Sequence, residues 1–184
     1  MDVALFHWIN GWSDGCAPFY DFLSEATKNH WVQLVLGAFI VFLLVRGFTT
    51  RVAALISIAA IAIANGICDL LKNYWPVPRP CVALPSVINH GVGFLQSAGT
   101  ASAHAANMAA LAVVMTYFFG RWGFIPIAIA FFTGLSRIYV GVHYPSQVLL
   151  GWLIGCLVGG ALIQGFRAYE GRKRGKGEEA GSKR

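Results

Sequence analysis

VAALISIAAIAIANGICDLLK, residues 52–72, is a nearly unbroken apolar run that ends on a lysine. From 52 to 71 it reaches the ~20 residues a helix needs to cross the hydrocarbon layer of a bilayer. Further apolar runs cover residues 31–45, 104–119, 124–140 and 148–166. The chain is 57% hydrophobic and 12% charged, with a mean hydropathy of +0.60. A soluble fold would have to bury five helices that lack polar faces, and 184 residues cannot cover them. The sequence therefore predicts an all-α integral membrane protein, a bundle of about five spanning helices.

The N-terminal segment reads differently. Val3, Leu5, Phe6, Trp8, Ile9 and Trp12, then Phe19, Tyr20, Phe22 and Leu23, predict two short amphipathic helices lying at the membrane interface. This stretch is not read as a cleavable signal. It lacks a basic start, carries Asp2, Asp14, Asp21 and Glu25, and is broken at Gly11, Gly15 and Pro18. Residues 1–168 are thus expected to form one membrane domain, with 1–27 interfacial and 28–168 the bundle. Residues 169–184 form a basic tail expected to be solvated and without fixed structure.

Charge orients the bundle. Alternating spans put Arg46, Arg51, Arg121, Arg167, Arg172, Lys173, Arg174, Lys176, Lys183 and Arg184 on one side, leaving Lys28, Lys72, Arg79 and Arg137 on the other. The positive-inside bias predicts a cytoplasmic tail and an outward face for the second set. The net charge of +6 belongs mostly to the tail, so it signals topology rather than nucleic-acid binding. The four cysteines lack metal-ligand spacing. Cys68 and Cys156 read as packing residues inside spans, while Cys16 and Cys81 share the outer face, where a disulfide stays open.

Three short blocks at the rims of these runs carry the chemistry: Lys72 and Arg79 in KNYWPVPRP, Ser102 and His104 in TASAH, and Arg137 and His143 in SRIYVGVHYP. Each has a bland alternative. Lys72 and Arg79 read equally well as cations snorkelling to the interface. Ser102 suits a helix N-cap, and Arg137 can cap its own helix. Together, however, they put three cations, a hydroxyl, two imidazoles and a helix N-terminus on one face. That inventory suits a phosphoryl group, with cations on its oxygens, one imidazole attacking and the other donating a proton. No Gly-Lys-Ser/Thr loop or acidic cluster calls for a nucleotide or a metal.

Lys72-x6-Arg79-Pro80, Ala101-Ser102-Ala103-His104 and Ser136-Arg137-x5-His143 together resemble the three-part signature of the type-2 phosphatidic-acid phosphatase superfamily. The resemblance runs from about residue 70 to 151 and the flanking helices. It implies a helical membrane bundle whose phosphatase site needs no metal or other cofactor and faces outward. It makes His143 the nucleophile that forms a phosphohistidine and His104 the general acid. Lys72, Arg79, Ser102, Arg137 and the Ala103 N–H would hold the phosphate. Ala101 and Ala103 stand where the family usually has Pro and Gly, a minor change that keeps the site small. Gln147 stands where the family has an Asp four residues after the nucleophile. Its amide oxygen can accept the same N–H but adds no negative charge, so an active yet slowed enzyme is expected.

The short chain resembles bacterial undecaprenyl-diphosphate phosphatases of this superfamily. The resemblance therefore implies a lipid phosphate or diphosphate substrate, a role in cell-wall biogenesis and a bacterial cytoplasmic (inner) membrane location. Lipid A 1-phosphatases and phosphatidylglycerophosphate phosphatases share the blocks. Transfer to a second lipid and headgroup binding without turnover stay open as competing functions.

Overall fold

The computed structural model describes residues 1–88, 90 and 95–182, and among them it is helical without strands. Two short helices, α1 (Asp2–Asn10) and α2 (Ala17–Glu25), precede α3 (His30–Arg46) and α4 (Phe48–Tyr74). A single helical turn, α5 (Pro80–Ala83), precedes α6 (Ala103–Phe119), α7 (Phe124–Tyr139) and α8 (Pro145–Ser182). The ends follow from local chemistry. The Asn29 side chain accepts from the N–H groups of Trp31 and Val32 to start α3. Pro76, Pro78 and Pro80 hold the strip after α4 extended.

Five apolar helices stand where the five runs predict them, but not all are span-length. By length and apolar content the candidates are three stretches: Phe48–Tyr74, Ala103–Tyr139 and Pro145–Lys173. A fourth appears if Asp14–Glu25 and His30–Arg46, bent by 54°, count as one. Length and apolar content alone count three or four because α3, α6 and α7, with 17, 17 and 16 residues, are at the short end for a span and the stretch Ala103–Tyr139 holds both α6 and α7. α6 and α7 turn back on each other at Gly120, whose φ of 55° favours glycine, and pack along their lengths. The tail also departs from expectation. α8 continues as one helix to Ser182, since a nucleated helix propagates through good formers such as Ala, Glu, Lys and Arg.

The bundle has small residues inside and large apolar ones outside. Ala53, Ala54, Ser57, Ala60, Ala64 and Cys68 are the buried positions of α4, whereas Leu55, Ile58, Ile63 and Leu70 are exposed. Lipid is as apolar as leucine, so close backbone packing rather than hydrophobic burial joins such helices. The α6–α8 contact is the clearest case. A Cβ at Gly151 would lie 2.5 Å from the Ser102 carbonyl oxygen, and one at Gly155 only 2.2 Å from that of Ala106. At Gly159 it would meet Val113 at 3.0 Å. This Gly-x3-Gly-x3-Gly ridge sets how deeply α8 seats against α6.

The N-terminal helices pack over the C-terminal end of α7 and the N-terminal end of α8. Asp2 accepts from the Ser146 N–H at 2.9 Å and the Ser146 hydroxyl at 2.5 Å, capping α8. The Asn10 side chain bonds the carbonyls of Ile88 and Tyr139 and the N–H of Ile88. His90 is buried and stacked on Tyr139 with ring centroids 4.1 Å apart. Its Nε2 donates to the Asn10 carbonyl at 3.1 Å. Cys16 and Cys81 are free thiols, as are Cys68 and Cys156.

The ridge makes a contrast that circular dichroism melts in detergent can read. Gly155→Val, which drives a side chain into the α6 backbone, is expected to destabilise by about 1–3 kcal/mol or more. Gly160→Ala, on the same helix with nothing within 4 Å of its Cβ, should leave the midpoint unchanged or raised.

Candidate active site

Arg79 ties two of the three blocks together. Its Nε donates to the Ser97 carbonyl at 2.8 Å, and its Nη2 to the Ser97 hydroxyl and the Ala98 carbonyl at 3.3 and 3.2 Å. Nη1 reaches the Val142 carbonyl at 3.1 Å and His143 Nε2 at 3.0 Å. All five N–H groups of the guanidinium are engaged and the residue is buried. A Cβ at Gly99 would approach Arg79 Cγ to 2.8 Å, so the missing side chain there leaves room for the arginine.

His143 is held from both ring nitrogens. Nδ1 lies 3.0 Å from Gln147 Oε1 and 3.2 Å from the Gly99 carbonyl oxygen. The orientation of the Gln147 amide follows from a second contact. The Tyr144 backbone N–H donates to the same atom at 3.2 Å, so that atom is the oxygen. His143 Nδ1 must then carry the proton, and Nε2, facing an arginine donor, must carry the lone pair. Gln147 Nε2 is buried and has no partner among the described residues. Burial holds the His143 pKa well below its ordinary 6.5, and the Arg79 and Arg137 charges reinforce this against the two Nδ1 hydrogen bonds. The imidazole is therefore neutral at physiological pH.

Main-chain turns fix the spacing of the third block. The Arg137 carbonyl accepts from the N–H groups of Val142 and His143 at 3.2 and 3.1 Å, which folds the five intervening residues back. Gly141 permits that turn with φ of 82°, and its carbonyl accepts from the Cys81 N–H at 3.1 Å. The Arg137 side chain, also buried, donates from Nη1 to the carbonyl oxygen and hydroxyl of Ser24 in α2.

The second block is joined to the third through the backbone, since the Ser102 N–H donates to the Gln147 carbonyl at 3.0 Å. The Ser102 hydroxyl accepts from the Ala105 N–H at 3.4 Å and so acts as the α6 N-cap. Ala103 opens α6, where an N–H has no intrahelical acceptor. His104 is half-buried and makes no hydrogen bond among the described residues; it interacts electrostatically with Arg137, Lys28, Glu25 and Lys72.

Arg79, His143, Gln147, Ser102 and Arg137 are thus linked by direct side-chain or main-chain bonds. Lys72 is not joined to them, because its Nζ is paired with Asp69 Oδ1 at 2.9 Å one turn back on α4. Ser24, Asp69, Ser97 and Gly99 were not singled out by sequence reading. Ser97 and Gly99 belong to a stretch of small residues, SAGTASAH at 97–104, that runs into the second block, but Ser24 has no local signal. An apolar groove of about 500 Å³ between α6, α7 and α8, lined by Ala109, Val113, Ile127, Phe131, Trp152 and others, contains none of the site residues.

Known proteins carry the same plan. The sequence profile of the PAP2 superfamily matches residues 53–170. A lipid A 4′-phosphatase of Bacteroides thetaiotaomicron is 31% identical over 170 residues, covering 84% of this chain and 72% of that protein. The undecaprenyl-diphosphatase BcrC of Bacillus subtilis is 31% identical over 102 residues, 52% of this chain and 51% of its own length. The crystal structure of Aquifex aeolicus LpxE superposes with a TM-score of 0.75 at 25% identity, covering 89% of this chain and 94% of that one. With the profile spanning most of the bundle and the blocks brought together inside it, this chain belongs to the PAP2 superfamily and is one of its membrane phosphatases.

Proposed function

We propose that this protein removes a terminal phosphate from a membrane lipid phosphate or diphosphate, without a metal ion, through a phosphohistidine on His143. The observation that carries the reading is the fixed tautomer. The Arg79 guanidinium donates to Nε2, and the Tyr144 N–H fixes Gln147 Oε1 as the acceptor at Nδ1, which leaves the lone pair on Nε2. As the phosphoryl group enters, Arg79 Nη1 passes from Nε2 to a phosphoryl oxygen and uncovers the nucleophile. Nε2 attacks phosphorus, the P–O bond to the lipid breaks, and the His104 proton goes to the leaving oxygen. Water then attacks phosphorus, His104 takes its proton, the N–P bond breaks and inorganic phosphate leaves. Arg79, Arg137, Lys72, Ser102 and the Ala103 N–H stabilise the oxygens. Lys72 must exchange Asp69 for phosphate to take part.

Gln147 holds the tautomer but leaves the charge that develops on His143 uncompensated. In Ser-His-Asp hydrolases, Asp→Asn at the corresponding role costs about 10⁴ in rate, through the wrong tautomer. Here the amide oxygen faces the ring, so that loss is avoided and the deficit is electrostatic alone.

The substrate is an anionic envelope lipid whose tail stays in the bilayer. Undecaprenyl diphosphate is the reading the sequence favours, supported by the Bacillus subtilis relative. A lipid A phosphate is the second reading, supported by the longer match to the Bacteroides protein. The charge distribution supports an outward-facing site in a bacterial inner membrane, with the tail cytoplasmic.

Purified protein in EDTA, given undecaprenyl diphosphate, lipid A and phosphatidic acid separately, is expected to release phosphate, and His143→Ala should abolish release. New phospholipid in place of phosphate would indicate transfer, and binding without turnover would sink the enzyme reading. Gln147→Leu, which removes one of two Nδ1 acceptors, should lower kcat by about tenfold. Gln147→Asp is expected to raise kcat; an unchanged rate would mean another group orients the ring. The nucleophile must be neutral, and its pKa lies below the ordinary value. As pH falls through 6.5, kcat/KM should therefore lose nothing to His143 protonation. A fall with an apparent pKa near 6.5 would contradict that assignment.

A further inference from the structure

Arg137 is engaged on one side only. Its Nη1 carries two protons, and both meet Ser24: one the carbonyl oxygen at 3.1 Å, the other the hydroxyl. Nε, on the opposite edge, is buried and has no partner among the described residues. Arg137 is 4% exposed and Ser24 1%, so water does not screen either group. The edge formed by Nε and Nη2 is the one that binds two oxygens side by side. A buried N–H without an acceptor on that edge marks it as a ligand contact.

The geometry points to Ser24 as a positioning residue for phosphate recognition: by taking both Nη1 protons, it turns the Nε–Nη2 edge of Arg137 toward the phosphoryl oxygens. Ser24 lies outside the 53–170 segment that the superfamily profile covers. The helix that carries it is seated independently of the arginine. Phe19 packs edge-to-face on Phe132 with centroids 5.6 Å apart, and Tyr20 lies against Tyr139 at 5.0 Å. Ser24 is in the last turn of α2, where a backbone carbonyl has no intrahelical donor and is free to accept. A hydroxyl beside it gives the guanidinium two fixed acceptors at one point, which defines the plane of the fork. This deepens the phosphatase reading and rests on it only for the identity of the anion.

A mere helix cap would make the same two bonds, so the test must read anion binding. Orthovanadate and inorganic phosphate are titrated into the full-length protein in detergent by calorimetry, which requires no turnover, and their inhibition of phosphate release is measured in parallel. Ser24→Ala should weaken both anions by about tenfold, and Ser24→Thr, which keeps the hydroxyl, should recover most of the loss. In an Arg137→Ala background, Ser24→Ala should add nothing. Unchanged anion affinity in Ser24→Ala overturns the inference. So does a loss of equal size in the Arg137→Ala background, which would mean general loosening of α2, or failure of the unaltered protein to bind either anion. Anion binding that depends on Ser24 in a protein that hydrolyses no lipid would overturn the phosphatase reading and leave this one standing.

Discussion

The Arg79 guanidinium is the constraint on which the site depends. Burying a cation is costly, and it is tolerated here because each of its five N–H groups has an acceptor. Those acceptors come from two segments far apart in the chain, Ser97–Ala98 and Val142–His143. One side chain thereby pins the small-residue strip to the turn that carries His143. The same contact decides the chemistry, since a donor at Nε2 is compatible only with the proton on Nδ1. Removing the arginine would leave five polar groups to find other partners inside the protein.

Around this pin, glycine governs distance. The Gly151, Gly155 and Gly159 ridge lets α8 lie against the α6 backbone, which brings Gln147 close enough for its carbonyl to accept from Ser102. Gly99 and Gly141 act the same way at the loops, one yielding room to Arg79 and Gln147, the other taking a left-handed turn ahead of His143. The residues of the candidate site are therefore carried on helix ends and tight turns whose separation is set by the absence of side chains. The short N-terminal helices complete this end of the bundle, with Asp2 on Ser146, Asn10 on the Tyr139 carbonyl and Ser24 on Arg137.

Much of this was legible before any coordinates. The apolar runs located all five long helices, and every end but the last of α8, within a few residues, because side-chain transfer to lipid is a local and nearly additive property. Lys72, Arg79, Ser102, His104, Arg137 and His143 were visible as polar groups at the rims of those runs. Span number was less legible, since α6 and α7 are short and α3 bends away from α2. The ion pair of Lys72 with Asp69, one turn away on the same helix, has no signal in the block pattern. The burial of His90 against Tyr139 and the Asn10 carbonyl has no local signal, because both partners come from other parts of the chain.

By itself the sequence determined the class of the protein, the order of its helices and which residues could do chemistry, because hydrophobicity and residue type are readable one position at a time. Only the tertiary structure decided which nitrogen of His143 holds the proton, which edge of Arg137 is free and how near α8 comes to α6. Those are properties of pairs. The Arg137–Ser24 bond joins residues 113 positions apart and the Arg79–His143 bond residues 64 apart. A hydrogen bond has a direction and a length that neither partner specifies until the backbone has brought both together.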